Sequence, residues 1–126
     1  MPMLSTHDAK QVDVGPGREA AAELGGYKVS YVTVDEDTDL TPLLQGLPGD
    51  QCPCPHWGYV IEGRIWWRLG DEEESHGPGD AFFVPGGHTS GADAGSTFVI
   101  FSPSEEMARV ESHMMQRAQT LFSSPR

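Results

Sequence analysis

Cys52-Pro53-Cys54-Pro55-His56-Trp57-Gly58-Tyr59-Val60-Ile61-Glu62-Gly63 is the stretch on which the fold turns. Side chains two and four apart share a face of an extended segment. The interleaved prolines fix φ, restrict the residues before them and keep the backbone from helix. An extended reading therefore points Cys52, Cys54 and His56 the same way, and three potential metal ligands converge. Gly63 then separates two predicted strands, Trp57–Ile61 and Arg64–Leu69. In the second, Ile65, Trp67 and Leu69 share a core-like face, while Arg64, Trp66 and Arg68 share an amphipathic one. That second face either meets solvent or lines a cavity, with arginine stems packed on indole.

Upstream, residues 1–25 show no sustained periodicity and read as an N-terminal arm. Gly15-Pro16-Gly17 breaks it, and Arg18 to Leu24 forms at most a short helical turn; the arm could pair with an edge strand of a partner subunit. Tyr27 to Val34 alternates and is rich in β-branched and aromatic residues, which predicts a strand. Asp35 to Asp39 is an acidic turn, and Leu40 to Leu47 a short apolar connection closed by Pro48-Gly49. Downstream, Gly70-Asp71 and Glu72–Glu74 read as a solvated hairpin turn, with His76 in an exposed polar turn. Ala81 to Val84 is a short strand between the turns Gly77–Asp80 and Pro85–His88. After a turn at Asp93 to Gly95, Thr97 to Phe101 is a buried-type strand. Ser102 as N-cap, Pro103 at the first position and Glu105 predict a helix over 103–122. Its apolar stripe is Met107, Val110, Met114, Ala118 and Leu121. Short strands, regular glycine turns and one terminal helix give an all-β class, an antiparallel barrel or jelly roll over 26–102 in a single domain.

Composition narrows the function. With 37% hydrophobic and 21% charged residues, the 126-residue chain can build one core without disulfides. Eight Lys and Arg against nineteen Asp and Glu, a formal net charge of −11, disfavour a nucleic-acid partner and an anionic membrane surface. Residues 1–25 lack the apolar core of a signal peptide, and no apolar run has the length to span a bilayer. The only two cysteines, one residue apart, are poorly placed to join each other, so reduced thiols in a cytoplasm are expected.

Two stretches resemble the motifs of the cupin superfamily. Gly79, five residues, Pro85, one residue and Gly87 reproduce the spacing of the second cupin motif. Tyr59 to Gly63 is similar to the end of the first, in which a metal-binding glutamate precedes the closing glycine by seven positions. Counted that way, His56 stands in the glutamate's place, Asp50 and Cys52 stand where two histidines would, and Ser90 where the second motif has its histidine. The usual ligand set is therefore absent as such. His88, two residues before Ser90 and on its face if that segment is extended, could reach into the barrel instead.

The resemblance implies a cupin-type antiparallel β-barrel with a C-terminal helix, a homodimer, and a site in the barrel mouth for a small organic molecule. Isomerase, cyclase, decarboxylase and dioxygenase chemistry all fall within it. A rebuilt metal site would use His56, His88 and one or both of Cys52 and Cys54, a donor set suited to zinc and less exclusively to iron or nickel. Two thiolates would close a tetrahedron for a structural or sensing metal; one would leave a position open for water or substrate. Without metal, the barrel is a dry pocket with an ordinary buried histidine and two inert thiols, a non-catalytic binding module. Tyr59, Trp66 and Phe82, with Trp57, could line the mouth, and Arg64 or Arg68 could orient a substrate carboxylate.

Overall fold

The computed structural model describes residues 3–5, 10–13 and 16–122, with the side chain of Phe122 excepted; His7 and Gly15 lie outside the described residues. The elements in chain order are β1 (Val12–Asp13), β2 (Gly17–Leu24), β3 (Tyr27–Val34), β4 (Thr38–Asp39), α1 (Thr41–Leu44), a 3-10 turn (Pro48–Asp50), β5 (His56–Glu62), β6 (Ile65–Leu69), β7 (Glu72–His76), β8 (Ala81–Val84), β9 (Thr89–Ala92), β10 (Ser96–Pro103) and α2 (Ser104–Phe122). They form a six-stranded sheet in the order β1-β2-β3-β10-β5-β8 and a four-stranded sheet in the order β4-β9-β6-β7. Every ladder between described strands is antiparallel.

Alternation builds the core. Val34, Val60, Phe82, Val84 and Phe98 of the first sheet face Ile65, Trp67 and Ala92 of the second. The β5–β6 turn depends on Gly63, which has φ of +79° and whose missing Cβ leaves room for Ser96. A second apolar cluster closes one end, where Leu44 of α1 and Val110 of α2 pack with Cys52 and Cys54. Three hydrogen bonds to the α1 region hold α2 there: His113 Nε2 donates to the Gln45 carbonyl at 2.6 Å, and Arg117 donates to Gln45 Oε1 at 2.9 Å and to the Pro42 carbonyl at 3.2 Å. Lys28 adds ion pairs to Glu111 of α2 and, at 3.2 Å, to Glu19 of β2.

Three sequence expectations are corrected, and one strand is added. Arg18 to Leu24 is not a helical turn but most of β2, paired in register with β3 of the same chain. Its alanines and glutamates favour helix, but a waiting strand edge overrides that weak preference. The acidic run Glu72–Glu74 is no loop: it lies in β7, where Glu73 stands opposite Arg68, 3.4 Å away, and His76 ends the strand partly covered. Charges on an outermost strand also discourage pairing with another chain. Thr89–Ala92, to which the sequence reading assigns no element, is β9 between β4 and β6. Finally, the helix begins at Ser104, and Ser102 belongs to β10, where its hydroxyl is buried in the interior instead of capping α2.

A candidate metal centre in the barrel interior

β5 opens with His56, whose ring points inward with Val60, while Trp57, Tyr59 and Ile61 point out. The segment before it meets the turn before β9: the Cys52 N–H donates to the His88 carbonyl at 2.8 Å, and the Gly87 N–H to the Cys52 carbonyl at 2.7 Å. Gly86 allows that approach, since a Cβ there would strike the Pro53 carbonyl. One donor atom from each of Cys52, His56 and His88 then lies within 4.8 Å of the others, and the residues are only 4%, 5% and 1% exposed.

The imidazoles are held from behind. His88 Nδ1–H donates to the Pro85 carbonyl at 2.8 Å, which leaves Nε2 as the lone-pair nitrogen of the neutral ring. His56 Nδ1 shares a 2.8 Å hydrogen bond with Ser102 Oγ, and its Nε2 lies 3.7 Å from Cys52 Sγ. The Cys52 thiol is also 3.7 Å from the Cys54 carbonyl. Burial sets the charge states. It drives His56 down from 6.5 to about 3, with a further push from His88. His88 also falls, because its burial outweighs the support of its bond to Pro85. Cys52 rises from 9.0 to about 11, mainly through burial, and Cys54 to about 12, through burial and then the neighbouring Cys52. The metal-free centre is thus two neutral imidazoles and a protonated thiol.

These residues fit a divalent metal. Neutral imidazole is already in the ligating form, and thiolate with two imidazoles is a zinc-type donor set. Nδ1 atoms anchored from behind are the outer support that metal-bound histidines usually have. A further sign is Trp67, 1% exposed, whose ring centroid lies 5.1 Å from that of His88 and 5.8 Å from that of His56. Its Nε1 is buried and meets no acceptor among the described residues. Such an orphan donor is costly, of order 1–3 kcal/mol, unless something at the site accepts from it.

The other predicted site residues divide clearly. Cys54 is buried beneath α2 with its Sγ 3.5 Å from the Pro55 carbonyl, and the three-donor group does not include it. Phe82 does face the interior, 5.3 Å from Trp67 between centroids and stacked on His76 at 5.2 Å. Tyr59 is on the outer face and 45% exposed. For Trp66, Arg64 and Arg68 the solvent alternative holds, because β6 turns Ile65 and Trp67 inward. The Arg68 guanidinium lies 5.2 Å from the Trp66 ring centre, and Arg64 reaches Asp93 at 3.2 Å and Glu73 at 3.8 Å. Two residues beside the centre escaped the sequence reading, Trp67 as plain core and Ser102 as a cap. Alternation from Phe98 through Ile100 was the available signal for Ser102.

No protein-family model matches the chain, and no curated protein matches it by sequence. Solved structures do match in shape. KdgF from Halomonas sp. is 22% identical with a TM-score of 0.58, covering 82% of this chain and 94% of its own. An RmlC-like cupin from Shewanella frigidimarina is 17% identical with a TM-score of 0.58, covering 82% of this chain and 92% of its own. The polyketide cyclase RemF from Streptomyces resistomycificus is 19% identical with a TM-score of 0.57, covering 82% of this chain and 79% of its own. At these identities the likeness is one of fold.

Proposed function

For a chain with this cupin-type barrel, we propose a metal-dependent protein that acts on a small organic molecule in the barrel interior. Cys52, His56 and His88 would hold one divalent ion, zinc by donor chemistry, with iron or nickel as lesser fits. A metal so held would supply a Lewis acid for a ligand oxygen. The chain's own part is to orient: Pro85 and Ser102 set the imidazoles, Phe82 and Trp67 wall the interior, and the Trp67 N–H is free to donate to an oxygen of the occupant. The observation that carries the reading is the convergence of three buried donors within 4.8 Å, with both Nδ1 atoms already engaged. The cyclase among the similar folds supports small-molecule chemistry. Two buried free thiols support a reducing compartment such as the cytoplasm. The working unit is read as a homodimer.

A second reading has its own observation. All three donor residues are almost wholly buried, and the α1–α2 cluster sits against Cys52, which favours a closed structural or sensing site without catalysis. Metal analysis of tag-free protein kept reduced separates the cases. Near one metal per chain is expected, lost in Cys52→Ser and kept in Cys54→Ser. Absence of metal from the wild type sinks the proposal. Loss of both metal and folding in both variants establishes the structural site. An open position should also show as a change in the visible spectrum of cobalt-loaded protein when small carboxylates are added.

A further inference from the structure

Two buried nitrogens meet at one edge of the barrel interior. β7 and β8 are the outermost strands of their sheets, and no ladder joins them among the described strands. Residues paired across a ladder share a face: on β7, Glu74 stands opposite Trp67 and His76 opposite Ile65. Trp67 and Ile65 point inward, so Glu74 and His76 turn to the interior side as well. Trp67 and His76 both pack on Phe82 of β8, at 5.3 and 5.2 Å between centroids. Neither Trp67 Nε1 nor His76 Nε2 has a hydrogen-bond partner among the described residues, and both atoms are buried. Glu74 Oε1 lies 3.8 Å from His76 Nε2, too far to satisfy it. A carboxylate on that side nevertheless favours the proton on Nε2, which makes His76 a second donor beside the indole N–H.

We propose that Trp67 Nε1 and His76 Nε2 form a seat for the carboxylate of a small organic acid bound in the interior. The proposal rests on the reading of a small-molecule site there, and not on the metal. Three features select a carboxylate. The two orphan groups both donate, so the occupant must accept, and a carboxylate has two oxygens with which to do so. Two such bonds to an ionised acceptor are stronger than neutral ones, which suits a site where an unmet donor is costly. No Asp or Glu among the described residues is buried, so the interior holds nothing to neutralise an ammonium group. Glu74 is the nearest like charge, and its side chain is 57% exposed, where water and salt screen it. The apolar remainder of the acid would lie against Phe82. Arg64 and Arg68, the expected carboxylate partners, point to solvent; Trp67 and His76 take that part from the opposite face of the same ladder.

Titration of nitrogen-15-labelled protein with acetate and glycolate tests it, with ethylamine as the cation of matched size. The chain has three tryptophans, so three indole N–H signals are expected, and Trp67→Phe identifies one of them by its loss. Should that variant misfold, Trp57→Phe and Trp66→Phe identify it by elimination. The Trp67 signal should move downfield and saturate with either acid and stay in place with ethylamine. His76→Phe keeps a ring on Phe82 and removes the donor, and it should weaken acetate binding about 10-fold. A Trp67 signal that no acid moves overturns the proposal, as does an equal response to ethylamine or unchanged acetate affinity in a folded His76→Phe. Metal-free and zinc-loaded protein are titrated in parallel. A saturable Trp67 shift without zinc supports the seat even where the chain takes up no metal. Zinc uptake with an unmoved Trp67 signal overturns the seat and leaves the metal centre standing.

Discussion

Ser102 is one hydroxyl set directly behind the candidate metal centre. It is 2% exposed, and its hydroxyl bonds His56 Nδ1 at 2.8 Å. Ser102→Ala would leave that nitrogen unpaired, lowering stability by about 1–3 kcal/mol. It should weaken metal binding about 10–100-fold. Denaturant titration and competition with a chromogenic chelator measure the two effects, and unchanged metal affinity would contradict the role given to Ser102. The charge states of the same residues fix the response to pH. The folded His56 titrates at about 3 against 6.5 for the ordinary side chain, so the unfolded chain takes up protons that the folded one refuses. Metal-free protein should therefore lose stability as pH falls from 6.5 toward 3. The thiols act at the other end: with Cys52 at about 11 against 9.0, stability should fall as pH rises from 9 to 11. The denaturant midpoint should be highest between these limbs, and a His56→Gln/His88→Gln variant should show a shallower acid limb. Cys52, His56 and His88 were legible as candidate donors because thiols and imidazoles are scarce and stood near the places that spacing assigned. Trp67 and Ser102 were not, because their residue types serve cores and helix caps more often than metal sites.

At the scale of elements, what could be read depended on whether a segment's pattern was its own or its neighbour's. β3, β5, β6 and β10 carry alternation and branched or aromatic residues, and the structure has strands there. β2 and β7 are polar or alanine-rich and become strands only because β3 and β6 offer edges, information that no local window contains. The β8–β9 connection shows how a turn becomes part of the site. Gly86→Ala would drive a methyl group against the Pro53 carbonyl and push His88 away from Cys52. Overpacking of this kind costs about 1–3 kcal/mol, and metal stoichiometry should fall with it. In contrast, Arg68→Ala removes an exposed pair with Glu73 and should change stability by less than about 1 kcal/mol. Thermal melts of the two variants side by side check the ranking, which a costlier Arg68→Ala would reverse.

Across the whole molecule, the sandwich core and the end cluster under α2 perform different tasks. The core joins the sheets, whereas Leu44 and Val110 cover the thiols. Leu44→Ala, at a side chain 1% exposed, should cost about 2–5 kcal/mol. It should also speed the reaction of Cys52 and Cys54 with a disulfide reagent by more than the same loss of stability placed in the sheet core does. Val60→Ala is the comparison, and equal thiol rates in the two variants would show that the end cluster gives no special cover. Finally, β5 serves two surfaces at once through the period of its side chains, and this limits what mutation can do to it. Either surface can be altered alone by substitution, since His56 and Trp57 face opposite ways. A change of length is different. Deleting one residue between His56 and Val60 would exchange the two faces of the strand, turning the imidazole or the aromatic row to the wrong side. Viable descendants of this chain should therefore tolerate changes of side chain along β5 better than changes of its length, with gaps and insertions collecting in the flanking turns.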